Sequence, residues 1–133
     1  KDVTLNSQVV REKFPEIISK MEKLFKEFTE FAHKNGIVVV DTKFEIFINS
    51  NGDWVLGDEV LTPESSRFIS LEDFEAANYI SMDKQILRDF GKSENWKEKA
   101  KTLEAGQKLE VNVPQSIKDQ ILNGYETILN RLK

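Results

Sequence analysis

The sequence predicts an α+β fold in which an antiparallel hairpin, part of a larger sheet, is flanked by helices. Three observations carry this. From Phe14 onward apolar residues recur at helical spacing, two β-rich runs meet at the turn signal Asn51-Gly52, and an amphipathic segment closes the chain after Pro114. At 133 residues, 39% hydrophobic and 32% charged, the chain is long enough to bury a core, and residues 1–133 read as one domain.

The long helix is marked by Ile17, Ile18, Met21, Leu24, Phe25, Phe28, Phe31 and Ala32, three or four apart on one face. Pro15 suits its first turn, so "NSQVVREK" before it forms a separate short helix capped by Asn6 or Ser7. It ends at "HKNG", where His33 is a basic residue facing the negative helix end and Gly36 takes the left-handed position. Next, "GIVVVDTKFEIFI" and "DWVLGDEVL" flank "NSNG", the signature of a two-residue hairpin loop. Residues 61–79, with Pro63 and paired serines, lack a period and read as a long loop with one helical turn. Ser81 caps a short helix, "MDKQILRDF", ending at Gly91. Residues 92–112 are charged and weakly patterned, and Ile117, Ile121, Tyr125, Ile128 and Leu132 mark the closing helix.

Composition excludes several functions. A net charge of −4 with no basic block argues against nucleic-acid binding. No apolar run approaches the length of a membrane span and no signal peptide is visible, which predicts a cytoplasmic protein. With no cysteine and one histidine, thiolate chemistry and soft-metal sites are out, so any metal is a hard ion on oxygen ligands.

The two-residue loop fixes a register. Residues 50 and 53 pair, which places Glu45 opposite Asp58, Phe47 opposite Leu56 and Lys43 opposite Val60, with Asp41 on the same face. The other face, Val38, Val40, Thr42, Phe44, Ile46 and Ile48, is the core side. Opposed carboxylates cost ~0.5–1 kcal/mol unless a cation lies between them. Magnesium suits such a pair, because it takes one or two carboxylates plus water and phosphate oxygens. Lys43 can then neutralise a phosphate. The same charges also read as a solvated sheet face laced by Lys43 with Asp41 and Glu45. Arg67 after Ser65-Ser66 offers a planar fork beside hydroxyls, suited to phosphate or to a salt bridge within the loop. Lys84 and Arg88, with Gln85, sit one helical turn apart and suit an anion or plain solvent.

"GIVVVDTKFEIF", "GDEVLTPESSRF" and "SMDKQILRDF", in that order and spacing, resemble the C-terminal part of the SAICAR synthetase family, from about Leu5 to the chain end. Departures are Glu64, Ile69 and Met82, and the poorest match is the segment 92–112. The resemblance implies an ATP-dependent ligase of purine biosynthesis that joins carboxyaminoimidazole ribonucleotide to L-aspartate. It assigns magnesium to Glu45 and Asp58, nucleotide phosphates to Lys43, and substrate or the metal's water shell to Asp41. Ser66 and Arg67 would hold the ribonucleotide phosphate, with Lys84, Gln85 and Arg88 as substrate-side donors. It further implies that this chain is the C-terminal portion of a two-lobed enzyme, inactive alone, and is compatible with a homo-oligomer. Two other readings fit parts of the pattern. An inositol-phosphate-kinase-like domain shares the Asp-x-Lys strand but usually has a glycine soon after the lysine, where this chain has Phe44 and Glu45. A nonenzymatic ion- or nucleotide-binding domain would need only the carboxylates.

Overall fold

A computed structural model describes residues 3–133. Helix α1 (Ser7–Lys13) starts at Asn6, whose side chain accepts from Gln8 N at 2.8 Å. Helix α2 (Pro15–Lys34) has proline in its first turn as expected. It buries Ile17 and Ala32 and packs Phe25 and Phe28 against the core. It ends where Gly36 adopts φ +74° and donates its N–H to His33 O.

The stretch after α2 is not the single strand that its alternation suggests. Strand β1 (Ile37–Asp41) pairs antiparallel with β4 (Arg67–Ser70), and β2 (Glu45–Ile48) with β3 (Trp54–Gly57), giving two separate two-stranded sheets rather than one larger sheet. Residues 42–44 separate β1 from β2, and the β1–β4 register shifts between Val39 and Asp41. Strand β4 lies within the region expected to be a loop, and the short α3 (Leu71–Glu75) is the one helical turn expected there. The core face is also reversed in β1. Ile37 and Val39 are buried while Val40 is 46% exposed, because β1 presents its odd positions to α2 and α6.

The hairpin loop is longer than the predicted type. Asn49 pairs with Asp53, Gly52 donates to Asn49 O at 3.0 Å, and Gly52 lies at φ +85°, the arrangement of a three-residue loop closed by a left-handed glycine. The Asn49 side chain selects it by accepting the N–H groups of Asn51 and Asp53, both at 2.9 Å. Register consequently moves by one residue, so Glu45 faces Gly57, and Phe47 faces Val55 with its ring across Gly57. Asp58 falls just beyond the strand at φ +58°.

Helix α4 (Gln85–Ser93) starts later than expected, with Asp83 instead of Ser81 bonded to its first turn. It runs through Gly91, which is buried against the Trp96 indole of α5 (Trp96–Lys101), a helix in the segment that carries little sequence pattern. Helix α6 (Gln115–Arg131) is the predicted closing helix. Its Gly124 lies against the backbone of Met82, where a Cβ would come within 2.6 Å of Met82 O. Ala32, Ile37, Val39, Phe68, Met82 and Ile128 form the core. Among the described residues no helix is long and apolar enough to cross a membrane.

Candidate functional site

The break between β1 and β2 turns the chain so that five consecutive residues, Asp41 to Glu45, face several other elements. At Asp41 the partner is Arg67, directly opposite in β4. The guanidinium grips the carboxylate with both prongs, Arg67 Nε donating to Oδ1 at 2.8 Å and a terminal nitrogen to Oδ2. This bond is the main reason that Asp41 titrates below the usual carboxylate range, and Arg88 adds a smaller attraction from α4. The other terminal nitrogen of Arg67 makes no hydrogen bond among the described residues.

At Thr42 the hydroxyl meets that of Ser66 at 2.8 Å, and Ser66 is buried. Ser66 therefore braces the turn into β4 against the break after β1. The preceding loop is ordered by its backbone and by a hydroxyl: Ser65 and Ser66 donate their backbone N–H groups to the Thr62 carbonyl, and Thr62 Oγ1 donates to Glu59 at 2.9 Å. Glu59 is thereby tied to Thr62, and its charge still acts weakly on Lys43.

At Lys43 the ammonium contacts Glu45 Oε1 and lies 3.7 Å from Asp58 Oδ2. The Glu45 bond is the first cause of a raised Lys43 pKa. The two carboxylates are not opposed across the hairpin as the predicted register required. They still share one cation, because the left-handed backbone at Asp58 turns its side chain back toward Lys43. Among the described residues no three acidic or histidine groups converge as a ready-made metal cage. The two carboxylates and the ammonium between them are open to solvent.

The remaining predicted residues lie on α4 and at its N-cap. Lys84 is 3.7 Å from Glu64, and Gln85 donates to Asp89 at 2.7 Å. Arg88 is exposed, and its charge acts on both Asp41 and Asp83. Glu64 also accepts from Tyr125 of α6 at 2.9 Å; burial, then this bond, raises the tyrosine pKa.

Asp83 is the residue that sequence reasoning missed. Fully buried, it accepts the N–H of Phe68 at 2.8 Å on one oxygen and that of Gln85 at 2.7 Å on the other. Met82 N in turn donates to Phe68 O at 3.0 Å, so residues 82–83 clasp the strand on which Arg67 sits. Burial pushes its carboxyl pKa up against the pull of the two bonds. The usable signal was an acid two residues before a helical N–H, the spacing of a local side-chain cap.

A cleft of about 850 Å³ lies elsewhere, between α4, α6 and residues 79–82, and none of the predicted site residues lines it. A smaller cleft of about 420 Å³ has Asp41 and Thr42 at its edge and Ile18, Met21, Phe25 and Phe44 as apolar walls. Of the predicted site residues only Asp41 lines it.

The family model of SAICAR synthetase matches residues 1–103. Phosphoribosylaminoimidazole-succinocarboxamide synthase of Histophilus somni is 36% identical over 118 residues, covering 88% of this chain and 38% of that protein. The enzyme of that name from Lachnospira eligens is 49% identical over 71 residues, 53% of this chain and 24% of its own length. Among solved structures, one described as SAICAR synthase superposes with TM-score 0.63 at 29% identity, covering 98% of this chain and 43% of that one. SAICAR-synthase from Saccharomyces cerevisiae complexed with SAICAR gives TM-score 0.60 at 30% identity, over 97% and 44% of the two chains. The chain thus spans under half the length of these relatives.

Proposed function

This chain belongs to the SAICAR synthetase family, and from that premise we propose that it is the C-terminal portion, folding as one domain, of a cytoplasmic ATP-dependent ligase. The reaction joins the carboxylate of carboxyaminoimidazole ribonucleotide to the amine of L-aspartate. A carboxylate resists attack by an amine, so its oxygen first takes the γ-phosphoryl group of ATP, releasing ADP. The aspartate amine then attacks the acyl carbon, the C–O bond to phosphate breaks, and the nitrogen loses a proton. The observation that carries the reading is the adjacency of two charge clusters, Asp41–Arg67 and Lys43–Glu45–Asp58, both anchored on the segment 41–45 where β1 gives way to β2. A relative of this fold has been solved in complex with ADP.

In this reading Arg67 directs its remaining N–H groups at the ribonucleotide phosphate, while Asp41 fixes the guanidinium plane. Ser66 supports that arrangement from the buried side. Lys84, Gln85 and Arg88 line the substrate from α4, and Arg88 supplies positive charge facing Asp41. Lys43 meets the nucleotide phosphates. Glu45 and Asp58 fit magnesium, since both present oxygen donors to one cation position and leave it open to water and phosphate. When bound, magnesium would screen the triphosphate charge during transfer.

The test is ATP-dependent SAICAR formation by a full-length family member carrying this sequence as its C-terminal part. Glu45→Gln with Asp58→Asn is expected to lower kcat by at least about a hundredfold, the scale of losing a charge-stabilising group. A full-length protein that keeps its rate with both carboxylates neutralised would refute the metal assignment. The 133-residue chain alone, with ATP, magnesium and both substrates, is expected to form no SAICAR, because the relatives devote more than half their length to segments it does not contain.

A further inference from the structure

We propose that Lys43 is a built-in surrogate for the cation of the Glu45–Asp58 pair, displaced when that cation arrives. The inference rests on the magnesium assignment above. Glu45 and Asp58 come together on one ammonium: Lys43 contacts Glu45 Oε1 and lies 3.7 Å from Asp58 Oδ2. No other basic group pairs with either carboxylate among the described residues. Without Lys43 the hairpin edge would hold two like charges in mutual repulsion, one of them on a residue at φ +58°. The ammonium removes that repulsion and keeps both carboxylates aimed at a common point.

A dication entering this point meets a positive charge already in place. Lys43 must leave for both carboxylates to bind the metal. Its side chain is 59% exposed, and the two anions are its only ion-pair contacts among the described residues. A bare metal ion therefore competes with the lysine, while a metal ion arriving on a polyphosphate brings new oxygens to receive the released ammonium. The device biases the pair against free divalent ions and toward the metal–phosphate complex.

The test is titration of the 133-residue chain with manganese alone, read by the loss of the free-ion electron paramagnetic resonance signal. At ~4 Å in a solvent-screened site, removing one positive charge is expected to tighten metal binding at least about fivefold. Lys43→Met should show this gain, and Lys43→Arg, which keeps the charge, should stay within about twofold of the parent. Equal or weaker binding by Lys43→Met, including no binding by either protein, overturns the proposal. A gain that persists when Glu45→Gln and Asp58→Asn are added to Lys43→Met also overturns it, and in that case the metal assignment itself fails. In the parent chain, a magnesium-dependent shift of the Lys43 side-chain resonance, lost in Glu45→Gln/Asp58→Asn, reports the displacement directly.

Discussion

Replacing Asp83 with alanine should loosen the strand that carries Arg67. The carboxylate is buried and receives two backbone N–H groups, from Phe68 at 2.8 Å and Gln85 at 2.7 Å. Alanine leaves both donors without that partner, at about 1–3 kcal/mol each. Part of this is returned, because a buried carboxylate no longer has to be kept ionised; the raised Asp83 pKa shows that burial opposes its charge. The net loss should be about 2–4 kcal/mol, a large share of the ~5–15 kcal/mol typical of a domain. Its pH dependence follows from the same shift. A carboxyl whose folded pKa lies above its unfolded value, near ~4, contributes stability that is complete below the unfolded pKa and is lost as pH rises through the folded one. The alanine variant has no such group, so its deficit relative to the parent should be greatest near pH ~4 and shrink toward neutrality. Asp41, Glu72 and Asp89, whose pKa values are lowered by Arg67, Arg131 and Lys92 respectively, run the other way. Glu72 and Asp89 are common to both proteins and cancel in the difference, and the Asp41 contribution, complete above its unfolded pKa, does not change the slope between pH ~4 and ~7. Urea unfolding followed by far-ultraviolet circular dichroism between pH ~4 and ~7 measures the deficit directly. A loss below ~1 kcal/mol, or a deficit that grows with pH, would refute the assignment of Asp83 as a buried brace whose charge is opposed by desolvation.

Further substitutions test the packing and the charges separately. Gly124→Ala forces a Cβ within 2.6 Å of Met82 O, a backbone atom that cannot swing aside. It should cost about 1–3 kcal/mol in urea unfolding. Gly52→Ala meets no atom within 4 Å and carries only the penalty of φ +85°, about 1 kcal/mol, so the two glycines separate crowding from backbone strain. Arg67→Lys breaks the two-pronged grip on Asp41, and the Asp41 carboxyl resonance should then titrate at higher pH than in the parent. The parent's Asp41 stabilisation is present above its unfolded pKa and lost as pH falls through the depressed folded value, so the lysine variant should have less of it to lose in acid.

Helices α1, α2 and α6 and the charged motif were legible because each depends on local signals. Pro15, the stripe from Ile17 to Ala32 and Gly36 mark α2 without reference to the rest of the chain, and the same holds for α6 after Pro114. Strand β4 was not legible. "RFIS" is four residues long, buried at Phe68, Ile69 and Ser70 alike, and so shows neither alternation nor helical period. Its pairing with β1 is what breaks the apparent long strand at residues 42–44, and no local feature of "VVVDTKFEIF" announces that break. The reversed face of β1 follows from the same cause. Once β1 and β2 belong to different sheets, alternation need not carry over from one to the other. Asp83 was hidden by its neighbours, since a helix that truly begins at Gln85 looks in sequence like one beginning at Ser81.

The carboxylate pair survived a wrong register, and the reason lies in what the pair needs. Opposition across a ladder was the means by which the sequence placed Glu45 near Asp58, and Asn49 defeats it by capping a loop one residue longer. The slip moves Asp58 off the strand, where backbone geometry is no longer fixed by pairing, and there it takes a left-handed conformation that acidic residues tolerate better than most. Freed from the pleat, its side chain turns back to Lys43. A site that depends on side chains reaching a common cation is less sensitive to register than one built from directly opposed residues. Consequently Asp58→Glu, which adds a methylene at a left-handed position, should disturb metal binding more than Glu45→Asp on the strand. Manganese titration of the two variants on the Lys43→Met background checks this order, and a stronger effect at Glu45 would show that the strand, and not the turn, sets the geometry of the pair.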